Sequence, residues 1–195
     1  MGALTPRHIH AMTPGLIALV DRLLDRLGEK NDVDLIEDYA AQIPVEIIGN
    51  MLGVPLDQRE PLRDWSLAVL GALEPALTPE QMERGNRSVS EMIAWLDGLI
   101  ADRRARPGDP DVDVLTRLIQ GGADGAQLTP DELMHNCIFL LNAGHETTTN
   151  LIGNSLAILE DYPEARAKLV AEPSLTKTAI EEFLRFESSN QLGNR

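Results

Sequence analysis

Apolar residues recur at three- and four-residue spacing along most of the chain, and this period is typical of α-helices. The clearest case begins at Thr129, which can cap a helix that has Pro130 at its first position and Glu132 to complete a capping box. One face of this helix carries Leu133, Cys137, Leu140, Leu141, Gly144, Thr147, Thr148, Leu151 and Ser155. The pattern therefore predicts a long central helix over residues 130–161.

The same spacing predicts further helices on both sides of the central one. Their expected ranges are 14–27, 34–51, 57–73, 79–106, 112–120, 163–171 and 175–186. Pro44 is expected to strain or kink the second of these helices, and residues 188–195 read as an extended tail. The glycine-rich stretch 121–125 lacks the Gly-Lys-Ser/Thr ending of a phosphate-binding loop and is expected to be a solvent loop. The sequence thus predicts a mainly α fold, with residues 1–195 in a single domain.

Composition narrows the class of protein. Hydrophobic residues make up 43% of the chain and aromatic residues only 4%, which favours helices over a sheet sandwich. No apolar run reaches the roughly 18 residues of a membrane span, and the first residues do not form a signal peptide, so a cytoplasmic protein without a membrane partner is expected. The net charge of −14 argues against a nucleic-acid partner.

Outside the central helix pattern, the sequence gives little evidence for a metal-binding or catalytic motif. His145 and Glu146 begin the zinc-protease motif His-Glu-x-x-His, but Thr149 stands where the second histidine is needed. The four histidines are therefore expected to be plain surface or packing residues. Cys137 is the only cysteine, which excludes an intramolecular disulfide and a cysteine-rich zinc site, and it is expected to be an inert, buried thiol. No metal ligand is predicted within this chain.

The middle of the central helix is built from poor helix formers. Asn142, Gly144 and three consecutive threonines each lower helix propensity relative to Ala or Leu. Two interpretations are open: the helix accommodates a ligand or a bulge there, or the glycine is incidental and the threonines bond back to the preceding turn.

Two short motifs favour the first interpretation. Ala143-Gly-His-Glu-Thr-Thr148 fits the pattern Ala/Gly-Gly-x-Asp/Glu-Thr-Thr/Ser, and Glu182-Phe-Leu-Arg185 fits Glu-x-x-Arg, 35 residues after Thr147. In this order and spacing the chain resembles the cytochrome P450 family, most closely its soluble bacterial members. Further likenesses are Thr5-Pro-Arg-His8 and the stretch from Val33 to Pro55.

The resemblance implies roles for the central helix. In the family, an acid and an alcohol on this helix deliver protons beside a haem, so Thr147 would hydrogen-bond oxygen or its water and Glu146 would take part in the proton relay. Gly144 would let oxygen and substrate approach the backbone, and Ala143 would keep the space above the haem open. Ala143, Gly144 and Thr148 are accordingly expected to contact the cofactor.

The resemblance also implies roles outside that turn. Glu182 and Arg185 would form a buried structural ion pair that braces the loop of the haem cysteine, and Arg195 would pair with a haem propionate. The substrate pocket is expected to be lined by Phe139, Asn142, Asn190, Gln191 and Leu192. The implied activity is oxygen-dependent hydroxylation of a small organic substrate, with electrons from a ferredoxin or a flavin reductase.

One departure from the family is large. The loop that carries the thiolate ligand of the haem iron has no counterpart in the sequence, and Cys137, ten residues before Thr147, cannot replace it. We therefore expect a fragment of a haem-thiolate monooxygenase that does not retain haem, is inactive alone and exposes apolar surface. Two alternatives remain: a haem-free degenerate relative, and an unrelated all-helical ligand- or protein-binding domain such as part of a transcription regulator.

Overall fold

The computed structural model describes residues 6–121 and 127–190, with side chains from residue 9 onward. These two ranges consist of helices joined by short turns and contain no strand. The α-helices are α1 (Pro6–Gly28), α2 (Gln42–Met51), α3 (Glu60–Gly71), α4 (Pro79–Ala105), α5 (Val114–Gln120), α6 (Pro130–Ala143), α7 (Glu146–Asp161), α8 (Pro163–Ala171) and α9 (Thr176–Phe186). The short elements are a π-helical turn Ile36–Ala40 and two 3-10 turns, Leu56–Gln58 and Pro173–Leu175. The mainly α fold is confirmed.

Capping boxes start the helices α4 and α6. Thr78 Oγ1 accepts from the backbone N–H of Gln81 at 3.2 Å, and Gln81 Oε1 accepts from the backbone N–H of Thr78 at 2.8 Å. Thr129 and Glu132 repeat the arrangement at α6, with the same two distances. Each box satisfies N–H groups that have no partner within the helix, so both helices begin where the sequence predicts.

The helix α1 begins earlier than expected. It starts at Pro6, and Pro14, which was expected to begin it, lies inside the helix. An internal proline removes one backbone hydrogen bond. The carbonyl that loses its partner is that of His10, four residues before Pro14, and the loss is tolerated because His10 is exposed and water can reach it.

The irregularity expected at Pro44 falls elsewhere. Pro44 lies in the first turn of α2, where a backbone N–H would have no helical partner, so the proline costs little. The irregular part is the π-helical turn Ile36–Ala40. Asp34 Oδ1 caps this turn by accepting from the backbone N–H groups of Ile36 and Glu37, at 2.9 and 3.0 Å.

The largest apolar core lies between α3, α4 and α6, with contributions from α2 and α5. Its buried members are Ile48, Leu52, Val54, Leu62, Met92, Leu96, Leu99, Ile100, Leu115, Leu133, Cys137 and Leu141. Burying a side chain of this size stabilises a fold by about 1.5–3 kcal/mol. These helices therefore form the rigid part of the molecule.

A second, smaller cluster joins α1, α2 and α7. Leu19, Leu23 and Ile43 are its buried members, and Ile152 of α7 packs against them. The carboxy-terminal helices differ, since no residue of α8 or α9 is buried. They are held mainly by contacts of both helices with α7.

Two arginines, the half-buried Arg103 and the buried Arg59, tie loops to this framework. Arg103 of α4 contacts Asp113 at 2.6 Å and donates to the carbonyl oxygen of Gly53 at 2.7 Å. Gly53 has a positive φ of 63°, and a Cβ there would collide with the Arg103 guanidinium, so glycine is required at this turn. Arg59 makes a similar closure at the end of α2, where it donates to the Val54 carbonyl at 2.7 and 3.0 Å. Within the described ranges, no helix combines the length and apolar character that a membrane span needs.

Candidate functional site

The predicted central helix is present but interrupted. Helical structure runs from Pro130 to Asp161 as expected, yet α6 ends at Ala143 and α7 begins at Glu146. The break falls at Gly144 and His145, in the stretch of poor helix formers. Thr147 and Thr149 bond back to the preceding turn, as the second interpretation expects, and the helix is interrupted at this point. That the stretch accommodates a ligand stays a prediction.

Side chains bond to backbone carbonyls around the break. Thr147 Oγ1 donates to the carbonyl oxygen of Ala143 at 2.8 Å and so bridges the interruption. Thr149 Oγ1 donates to the His145 carbonyl at 3.0 Å. These bonds satisfy carbonyl groups at the end of α6 and the start of α7, so the break costs less than an unsupported one.

Three of the predicted site residues share one open face. Phe139, Ala143 and Thr147 follow one another at four-residue spacing, and all three are exposed. The Phe139 side chain is 67% exposed, which is unusual for an aromatic ring in a helix centre. Glu146 and Thr148, which flank Thr147, are half-buried. An apolar ring, a small side chain and a hydroxyl are thus presented together beside a carboxylate.

Gly144 faces the interior. A Cβ at this position would lie 2.9 Å from Ile48 Cδ1 and 3.3 Å from the Leu140 carbonyl oxygen. The absent side chain therefore allows α2 to pack against the break. Sequence reasoning did not name this packing role, and the expected contact of Gly144 with a cofactor remains a prediction.

Asn142 does not join the open face. Its side chain is only 9% exposed, and its Nδ2 donates to the Ile138 carbonyl at 2.8 Å. Phe139 and Asn142 were expected to face one pocket, but the structure separates them. The two residues are three apart and so near each other around the helix, but Asn142 lies on the covered side of α6 and Phe139 on the open side.

The sequence does not predict the environment of His145 within the fold. It is 3% exposed, and neither ring nitrogen has a hydrogen-bond partner. Burial, followed by the positive charge of Arg63, lowers the pKa of His145 to about 4. In the sequence, His145 stands between Gly144 and Glu146 in the stretch of poor helix formers. That position does not distinguish a buried ring from an exposed one.

The predicted ion pair of α9 forms but is not buried. Arg185 Nε lies 2.8 Å from Glu182 Oε2, and Arg185 Nη2 lies 2.6 Å from Glu182 Oε1. The Arg185 and Glu182 side chains are 68% and 55% exposed, so the expected burial is wrong for this chain. The pair lies on a face of α9 that no described element covers. The hydrogen bonds from Arg185 lower the pKa of the Glu182 carboxyl.

Apolar side chains of α9 are also exposed, as expected. Ile180, Leu184 and Phe186 of α9 are 43%, 38% and 49% exposed. The Phe186 ring has one partner, Tyr162, in an edge-to-face contact with centroids 5.8 Å apart. The helix α9 therefore exposes apolar side chains as well as the Arg–Glu pair, with Ile180 and Leu184 on a different side of the helix from the pair.

Some predicted residues fall outside the described ranges. Gln191, Leu192 and Arg195 lie there, as does Thr5 of the amino-terminal likeness. Asn190 is described and exposed, and its backbone N–H donates to Ser188 Oγ at 3.3 Å.

Cys137 has the properties of a packing residue. Its side chain is fully buried, and burial raises the pKa of its thiol to about 12. A thiol in that environment stays protonated and cannot act as a thiolate ligand. In the described part of the chain, no group of three or more His, Cys, Asp or Glu residues is arranged to hold a metal ion.

The chain belongs to the cytochrome P450 family. The family profile described as "Cytochrome P450" matches residues 66–189. Cytochrome P450 107B1 of Saccharopolyspora erythraea is 38% identical over 186 residues, covering 95% of this chain and 44% of the relative. The biotin biosynthesis cytochrome P450 of Bacillus subtilis is 35% identical over 194 residues, covering 100% of this chain and 48% of the relative.

Solved structures give the same family. The crystal structure of P450BioI in complex with an acyl carrier protein ligated to hexadec-9Z-enoic acid matches with a TM-score of 0.88 and 36% identity, over 96% of this chain and 47% of that one. CYP109E1 of Bacillus megaterium, crystallised with testosterone, matches with a TM-score of 0.82 and 32% identity, over 95% and 49%. The chain thus spans about half the length of the proteins it matches.

Proposed function

We propose that this chain forms one wall of the active site of a haem-thiolate monooxygenase that hydroxylates a small organic substrate. The observation that carries the proposal is the open face of Phe139, Ala143 and Thr147, which ends in a hydroxyl at the helix break. An unrelated helical domain gives no reason to leave this face uncovered in the middle of its central helical region.

The described residues fit one side of a haem. The exposed Phe139 ring and the small Ala143 side chain offer an apolar surface for a flat macrocycle or an apolar substrate. The iron's thiolate ligand cannot come from this chain, because Cys137 is its only cysteine and is buried within α6. When bound, the haem would supply the oxidising chemistry, and the residues of this chain would orient groups and move protons beside it.

The Thr147 hydroxyl has a defined capacity in this geometry. A hydroxyl has one donor and two acceptor positions, and the donor is used on the Ala143 carbonyl. Thr147 can therefore accept a hydrogen bond from a water molecule while it stays anchored. The neighbouring Glu146, which is half-buried, would exchange a proton with such a water. We assign water positioning to Thr147 and proton relay to Glu146.

Partners and remaining contacts follow from the same proposal. Arg195 would pair with a haem propionate, and Glu182 with Arg185 would brace the segment that carries the thiolate. Electrons would come from a ferredoxin or a flavin reductase. Phe139 and Asn190, with Gln191 and Leu192, would line the substrate side.

Spectroscopy of the full-length gene product tests the assignment of class. We expect the reduced, carbon monoxide-treated protein to show the absorbance of a thiolate-ligated haem, and the 195-residue chain alone to lack it. A full-length product that binds no haem would contradict the proposal and favour a haem-free relative.

A variant pair in the full-length protein tests the role of Thr147. We expect Thr147→Ala to lower product formed per electron consumed by about 10²-fold, the lower end of the range for losing a general acid–base step. Thr147→Ser keeps the hydroxyl and should retain most of the coupling. Equal coupling in both variants would contradict water positioning by the hydroxyl.

A further inference from the structure

A small cavity lies behind the helix break. It is lined by Val45, Ile48, Leu62, Leu141 and His145, from α2, α3, α6 and the break itself. About 10 Å³ is open to the centre of a water molecule, which is close to the least space that one buried water needs. Four of the five lining side chains are apolar, so His145 is the only lining side chain with hydrogen-bonding groups.

The His145 imidazole needs partners that the protein does not supply. Both ring nitrogens are buried without a hydrogen bond. A neutral imidazole has one donor and one acceptor, and leaving a buried polar group unbonded costs about 1–3 kcal/mol. Protonation is not a solution, because the ring is buried and the charge of Arg63 opposes a second positive charge. A neutral hydrogen-bonding molecule in the cavity would serve one of the two ring nitrogens.

Other unbonded polar atoms lie on the same elements. They are Arg63 Nε and Ser66 Oγ on α3, and Asn142 Oδ1 at the end of α6. Ser66 follows Leu62 by one helical turn, and Asn142 follows Leu141 directly. Of the buried unbonded side-chain atoms found in residues 9–121 and 127–190, only Arg103 Nε belongs to another part of the fold. None of these other residues lines the cavity, so His145 is its polar group among the lining side chains.

We propose that neutral His145 binds one buried water molecule in the cavity between α2, α3 and the α6–α7 break. The water serves one ring nitrogen and so fixes the imidazole at the residue before Glu146. The break, and with it the place where α7 begins, is then held from behind by a hydrogen-bonded ring rather than by apolar packing alone. Any effect of this water on proton transfer by the adjacent Glu146 rests on the proposed function, but the water site itself does not.

Nuclear magnetic resonance of the labelled 195-residue chain tests the site directly. We expect the ring protons of His145 to show direct cross-relaxation with a water molecule of long residence time. The exposed rings of His10 and His135 provide internal controls, because surface water exchanges too quickly to give such signals. A His145 ring that gives no more water signal than His135 would overturn the proposal.

A cavity-filling variant locates the water. Val45→Ile adds one methylene where there is room for a single water, and we expect the His145 water signal to fall at least about tenfold. Val20→Ile makes the same change in the cluster of α1, α2 and α7 and should leave the signal intact. An undiminished signal in a folded Val45→Ile chain would place the water elsewhere and contradict the site. If Val45→Ile does not fold, the wild-type measurement decides the proposal alone.

The two proposals can fail separately. Loss of the haem assignment would leave the His145 water signal unchanged, because that signal comes from residues described in this chain. Absence of the water signal would leave the spectrum of the full-length protein and the coupling ratio of Thr147→Ala to Thr147→Ser untouched.

Discussion

Two arginine–carboxylate pairs of this chain have similar distances and opposite surroundings. Arg103 and Asp113 meet at 2.6 Å with side chains 16% and 9% exposed, between α4 and the start of α5. Arg185 and Glu182 meet at the same distance on α9, with side chains more than half exposed. Coulomb attraction is screened by water around the second pair and much less around the first. The comparison shows that contact distance alone says little about how much a pair stabilises the fold.

The surroundings follow from how each region is packed. α4 lies in the main core, whereas α8 and α9 rest on α7 with an outer face open. An open face with exposed apolar residues and a formed ion pair is expected where further protein packs in a longer chain. The framework of the fold is therefore in place at α2–α6, while the α8–α9 region is incompletely covered.

The largest effect is expected from breaking the buried pair. Asp113→Ala removes the partner of Arg103 and the acceptor for the Thr116 backbone N–H, which lies 2.7 Å from Asp113 Oδ1. We expect the free energy of unfolding to fall by about 3–5 kcal/mol, because a buried charge is left unpaired. Urea denaturation followed by circular dichroism measures the change. Asp113→Asn keeps the acceptor and should cost less; a neutral effect of Asp113→Ala would remove the contrast between the two regions.

Truncation of leucines compares the packing of the two regions. Leu96→Ala, at a fully buried position of α4, should lower the free energy of unfolding by about 2–5 kcal/mol. Leu184→Ala, at a position of α9 that is 38% exposed, should cost well under half as much. The same denaturation experiment applies to both. Equal costs would mean that α9 is as tightly packed as the core.

The buried His145 imidazole predicts that the free energy of unfolding depends on pH, an effect with no counterpart in the exposed α8–α9 region. The folded pKa of His145, about 4, lies below the ordinary value of about 6.5, so the unfolded chain binds more protons between these values. The contribution of neutral His145 to the free energy of unfolding is complete above about pH 6.5. It is lost as the pH falls towards 4, by an amount on the order of 3 kcal/mol.

The measurement is the urea midpoint between pH 4.5 and 7. His145→Phe should flatten the curve in this interval, and His135→Phe, at an exposed position of α6, should not. A wild-type curve that is flat between pH 5 and 6.5 would contradict a buried neutral ring.

The smallest effect is expected from the exposed pair. Glu182→Ala removes the partner of Arg185, yet water solvates both side chains, so we expect no measurable change in the urea midpoint of this chain. A loss comparable to that of Asp113→Ala would show that α9 is covered in solution. In the longer monooxygenase that we propose, the same substitution should be strongly destabilising, which distinguishes a bracing pair from a surface pair.

The features that the sequence predicts well are interactions between residues close to one another in the chain. The capping boxes at Thr78 and Thr129 depend on residues three positions apart, so the sequence alone locates the starts of α4 and α6. The pairing of Glu182 with Arg185 is equally local, because residues three apart on a helix are neighbours. Their exposure is not local, since it depends on what covers α9.

Tertiary packing accounts for what sequence does not predict. The break at Gly144 is supported by the contact with Ile48 of α2, almost a hundred residues away in the chain. The covered face at Asn142 and the buried His145 ring depend in the same way on neighbours from α2 and α3. The four-residue spacing of Phe139, Ala143 and Thr147 is visible in the sequence, but their shared exposure is not, because the apolar pattern places Thr147 on one face with Leu133 and Cys137, which are buried.

The break at Gly144 and His145 also lies where the main core gives way to the second cluster. α6 packs against α3 and α4, whereas α7 carries α8 and α9 and packs on the π-helical turn. At 1.5 Å per residue, the 16 residues of α7 make a helix about 24 Å long. A tilt of about 5° at this joint would displace the far end by about 2 Å, taking α8 and α9 with it, while Phe139 and Ala143 stay with the core.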